Sequence, residues 1–103
     1  MTKTNNKLRR EYTVSLTINS LPINKVIIDP HYEEKHSESI NDEVVLELVR
    51  LLDKGTFPAI AVEGEFQYFK SDPLFLEDKK YRLVWLLKKA ELFIGIVNAH
   101  RRD

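Results

Sequence analysis

Two apolar runs near the end of the chain constrain its fold more than any other feature. They are YRLVWLL at residues 81–87 and LFIGIVNAH at 92–100, joined by Lys88-Lys89-Ala90-Glu91. Both are rich in β-branched and aromatic residues, and the linker between them has the length of a hairpin connection. Runs this apolar belong to strands covered on both faces, so the pair predicts the centre of a sheet. Strict alternation across an even loop sets Tyr81, Leu83, Trp85 and Leu87 on one face with Leu92, Ile94, Ile96, Asn98, His100 and Arg102. Arg82, Val84 and Leu86 then share the other face with Phe93, Gly95, Val97, Ala99 and Arg101. The first face is the more apolar near the turn and is expected to meet the helices.

The rest of the chain supplies partners for that hairpin. Tyr12, Val14, Leu16 and Ile18 alternate with Thr13, Ser15, Thr17 and Asn19, the period-two signature of a half-buried strand. Asn19-Ser20-Leu21-Pro22 reads as a turn, and residues 23–28 as a second strand. Asp29-Pro30 has the chemistry of a helix start, a carboxylate cap followed by a residue with no N–H to satisfy. A short helix is expected over 30–38. Asn41 caps a second one, with Asp42 and Glu43 in its first turn, an apolar stripe from Val44 to Leu52, and Gly55 as the stop. Residues 66–70 read as a strand that Ser71-Asp72-Pro73 breaks, with 74–76 as a short extension and 77–80 as a turn. The expected architecture is α+β, in the order β-β-α-α-β-β-β, with an antiparallel sheet and two helices packed on one face.

With 103 residues the chain is long enough for one core. Residues 1–10 are expected to be a flexible N-terminal tail and 11–103 a single domain. There is no cysteine, so disulfides and thiolate metal sites are excluded. No apolar run reaches the roughly 18 residues of a membrane span, and the basic start has no apolar stretch behind it. The expected location is the cytoplasm, with no membrane partner. Lys plus Arg balance Asp plus Glu at 16 each, which argues against capture of nucleic acid by overall charge but leaves room for a local basic patch.

The chemistry-bearing residues cluster at two places. In DPHYEEKHSES, His31 and Lys35 are four apart and share a helix face. His31 and His36 are five apart, about 140° round a helix, so they do not converge on one metal. With no HExxH motif and no third ligand nearby, no metal is expected. The three glycines are isolated, so there is no phosphate-cradling loop and no cofactor is expected. At the other end of the chain, His100 is followed by Arg101 and Arg102. One histidine, two arginines and a lysine, with a tyrosine such as Tyr68 or Tyr81, suffice for metal-free RNA cleavage. A base activates the 2′-hydroxyl, cations stabilise the phosphorane, and an acid protonates the leaving oxygen. The simpler reading pairs Arg82 with a carboxylate across the strands and leaves Arg101 in solvent. Phe66, Tyr68 and Phe69 can stack on bases, or can simply be core.

A helix opening with His and Lys, then SINDEVVLELVRLL, then strands with YRLVWLL and a last strand ending NAHRR, resembles the small RelE- and BrnT-like toxin ribonucleases over residues 25–102. The resemblance implies a barnase/RelE-type α+β fold, metal-independent cleavage of RNA, and neutralisation by an antitoxin protein. Carried onto this chain, it implies catalytic roles for His31, Lys35, Arg82 and His100, with Tyr68, Tyr81, Arg101 and Arg102 on the RNA. Two readings stay open at this point: an endoribonuclease of toxin type, and a protein- or RNA-binding module of the same fold without activity. They differ in whether His31, Lys35, Arg82 and His100 converge on one phosphate position. An exposed edge on the first hairpin would give a route to a homodimer or to strand pairing with a partner.

Overall fold

The computed structural model describes residues 9–29 and 40–102. They form one six-stranded mixed sheet and one short helix. The strands are β1 (Arg10–Ile18), β2 (Leu21–Ile28), β3 (Ala61–Glu63), β4 (Phe66–Leu76), β5 (Lys79–Lys88) and β6 (Phe93–Arg102); the helix α1 (Asp42–Arg50) lies between β2 and β3. Across the sheet the order is β1-β2-β6-β5-β4-β3. Every neighbouring pair is antiparallel except β2 and β6, which run parallel.

This corrects the expected fold class. The sheet is mixed rather than antiparallel, and one helix, not two, packs on it among the described residues. The helix expected over 30–38 lies outside them, as do residues 1–8 of the expected tail. Arg10, read as part of that tail, opens β1. The sheet also gained length where a break was expected: β4 runs through Ser71-Asp72-Pro73. A bulge between Ser71 and Leu74 absorbs the proline, which has no N–H to give to a ladder. Asn19-Ser20 and Glu77-Asp78 are two-residue turns with positive φ at both positions, the hairpin geometry that matches strand twist.

The hairpin at the centre is where the sequence placed it. The face of β5 that carries Tyr81, Leu83, Trp85 and Leu87 is buried. It meets Val45, Leu48 and Val49 of α1, with Leu52 just beyond, in the core. Asn41 caps the helix as expected, its Oδ1 accepting from Val44 N at 2.9 Å. The helix is shorter than expected, and Lys54, with φ 68°, takes the left-handed position ahead of Gly55. Trp85 is the centrepiece: it stacks on Phe69 at 4.2 Å and meets the edge of Phe57 at 5.5 Å. Asn19 holds that Phe57 in place through both backbone groups, accepting from Phe57 N and donating to Phe57 O. The segment after α1 also closes on the end of β1, where Lys54 N donates to Thr17 O at 2.6 Å.

Candidate functional site

With the helix on one face, the other face of the sheet is open among the described residues. What it displays depends on one irregularity. Val84 is opposite Asn98, but Trp85 is opposite Ile96, so Val97 is an extra residue in β6. From Asn98 onward this bulge reverses the faces expected from strict alternation. Ala99 goes to the core opposite Leu83, and Arg101 lies opposite Tyr81 on the helix side. Asn98, His100 and Arg102 turn to the open face. His100 is therefore directly opposite Arg82, and Arg102 is opposite Lys80.

A carboxylate joins this cluster. Asp72, in the β4 bulge, accepts from Arg82 Nε at 3.2 Å and also from Arg102 Nη1. Two guanidiniums are thus held side by side on one acid, and the group keeps a net positive charge. Lys80 lies beside it, opposite the exposed Phe75.

Of the residues singled out in the sequence, Arg82, His100 and Arg102 come together. Tyr68 shares their face further along the sheet, opposite Leu86. Tyr81 is only 5% exposed on the core side, so its ring is not available to stack on RNA. Arg101 is exposed on the opposite side of the sheet from Arg82, and Arg82 pairs across the strands with Asp72, as the simpler reading has it. His31, Lys35 and His36 lie outside the described residues.

The register also brings Phe66 and Tyr68, two of the candidate stacking residues, together with lysines that sequence reasoning missed. Phe66, Tyr68 and Lys70 share the open face with Lys88, Leu86 and Val84, and Lys25 shares it beside Phe93. The period-two pattern of FQYFK carried that signal. Phe75 joins this face because β4 runs on through Asp72-Pro73 and sets it opposite Lys80. Counted by strand position, the open face carries Lys25, Lys70, Lys80, Arg82, Lys88 and Arg102 against Glu11, Glu63 and Asp72. A chain with no net charge therefore has a basic sheet face. Among the described residues no three His, Asp or Glu side chains gather where they could hold a metal ion, and no helix is long and apolar enough to cross a membrane.

Comparison of the chain with protein-family models, with curated proteins and with solved structures finds no match.

Proposed function

We propose that this protein binds RNA through the open face of its sheet, with phosphates drawn to Arg82, Arg102 and Lys80. The observation that carries this reading is the β6 bulge, which sets Arg102 and His100 on the same face as Arg82 and Lys80. Arginine suits the task because its planar fork offers paired donors to phosphate oxygens. Asp72 orients both guanidiniums and competes with the phosphate for them. The aromatic rings and lysines of the same face, Phe75 the most exposed of the rings, supply what a sheet uses to hold single-stranded RNA.

His100 favours a second reading, metal-independent cleavage at this cluster. An imidazole opposite a guanidinium combines a group that can take or give a proton with a cation that can stabilise a phosphorane.

One experiment addresses both. A labelled single-stranded RNA of about ten nucleotides, within the usual range of site sizes, is titrated by fluorescence anisotropy at low salt. Arg82→Ala combined with Arg102→Ala should weaken binding about tenfold or more, since charge-assisted bonds are lost. Asp72→Asn should tighten it by up to about fivefold, the scale of an exposed ion pair. Absence of binding by the wild-type protein would overturn the proposal. The same RNA incubated with protein and EDTA reads out cleavage. Products that vanish in His100→Ala would move the assignment from binder to ribonuclease.

A further inference from the structure

The open face is not flat. Between the turn that precedes β6 and the middle of β4 and β5 it has a hollow of about 560 Å³. Its floor is Gly95 and Leu86, cross-strand neighbours. Phe66 and Tyr68 stand on one side and Phe93 on another, with Lys88 over the Phe66 ring at 5.7 Å. Because residue 95 has no side chain, Leu86 lies down over it and forms a low floor to the hollow. A Cβ there would be 2.8 Å from Leu86 Cδ1 and 3.0 Å from its Cγ, so any larger residue must push Leu86 up into the space.

The lining says what kind of group fits. Three half-buried aromatic rings around an apolar floor suit a flat, apolar-faced group. The charged lining balances, Arg9 and Lys88 against Asp29 and Glu91, so the hollow itself has no net charge to draw in a phosphate, and its carboxylates can accept from an N–H donor. Arg82 is four residues from Leu86 along β5, about 13 Å at the rise of a strand. The cationic cluster and the aromatic hollow are thus separate positions on one line across one face.

From this division of labour we infer that the hollow seats an unpaired base of the same RNA strand whose phosphates lie on the Arg82–Arg102 cluster. The inference rests on the proposed RNA binding and adds a selectivity to it: the protein prefers single strands, because a base held in a duplex cannot enter. Stacking on aromatic side chains is worth roughly 1–3 kcal/mol per base, which is about five- to 150-fold in affinity.

The test compares three probes of equal length: a single-stranded RNA, its duplex, and an abasic strand with the same backbone. Each is titrated against the wild-type protein, Gly95→Val, Tyr68→Leu, and the Arg82→Ala/Arg102→Ala protein. Wild type should bind the single strand at least about fivefold more tightly than either other probe. Gly95→Val, which pushes Leu86 up and raises the floor of the hollow, should remove that advantage and leave abasic binding unchanged. Tyr68→Leu keeps the apolar packing without the ring, and should show the same loss should Gly95→Val not fold. Equal affinity for the single and abasic strands, or an advantage that survives both hollow variants, would overturn the inference while leaving phosphate binding intact. Failure of all three probes to bind would overturn the proposed RNA binding itself. A peptide or small apolar molecule that occupies the hollow and does not compete with RNA would also overturn the inference.

Discussion

Trp85 has no exposed surface, and its indole nitrogen finds its partner in Ser71 Oγ at 3.0 Å. Ser71 is the one buried polar residue of the described structure, and this bond explains its place in an apolar core. Ser71→Ala should cost about 1–3 kcal/mol, the penalty for a buried donor left without an acceptor. That corresponds to a fall in Tm of at least about 4 °C in a thermal melt. Tyr12 makes a second long-range polar contact. Its hydroxyl donates to Asp42, which also accepts from Arg10 Nε at 2.6 Å and Nη2 at 2.9 Å. The bond to Asp42 raises the Tyr12 pKa above its ordinary value, with desolvation and the Asp42 charge adding to the effect. A raised pKa means the protonated phenol is the form the fold favours. Its contribution is present in full below the ordinary tyrosine pKa of about 10, and is lost as pH climbs through the raised one. Thermal melts of wild type and Tyr12→Phe should therefore differ at neutral pH and converge in strong alkali. A difference that stays constant across that window would count against the Asp42 bond as its source.

At the scale of the element, β6 decides the site. Continued alternation would send Asn98 and His100 into the core and Ala99 outward. Burying an amide and an imidazole without partners is costly, whereas Ala99 against Leu83 is not. One extra residue, Val97, keeps Ala99 in the core and moves Asn98 and His100 to half-buried positions on the other face, although Asn98 Oδ1 still lacks a hydrogen-bond partner among the described residues. It follows that deleting Val97 should regularise the strand without moving His100 or Arg102 to the other face. The expected result is a folded protein whose affinity for an abasic strand stays within about threefold of wild type, since no phosphate contact is lost. Loss of that binding in a folded deletion variant would show that the bulge positions the arginines in some further way. The same strand explains how much of the site was legible. Arg82, His100 and Arg102 stood out as residue types at strand ends. Their shared face did not, because a bulge leaves no mark on the residues that form it.

Across the whole molecule, the sheet separates charge that the sequence averages away. The acids Asp42, Glu43 and Glu47 lie on α1, while lysines and arginines predominate on the opposite, open face. Binding to that face should depend steeply on salt. If Arg82, Arg102 and Lys80 each neutralise one phosphate, the logarithm of affinity should fall with the logarithm of salt at a slope near −2 for a single strand. Arg102→Ala should reduce that slope by about 0.7. A slope near zero would mean that the basic face is not where RNA lies.

The sequence by itself determined the local states. Period-two alternation marked β1, the apolar runs marked β5 and β6 and their central position, and Asn41 marked the start of α1. These are properties of residues close together in the chain, where side-chain direction and backbone preference act without help. The tertiary structure decided the rest: the parallel pairing of β2 with β6, the passage of β4 through Asp72-Pro73, the reversal of faces at Val97, and the meeting of two arginines on Asp72. Each of these depends on which distant strand lies alongside and what its side chains leave room for. A local pattern carries no record of that choice.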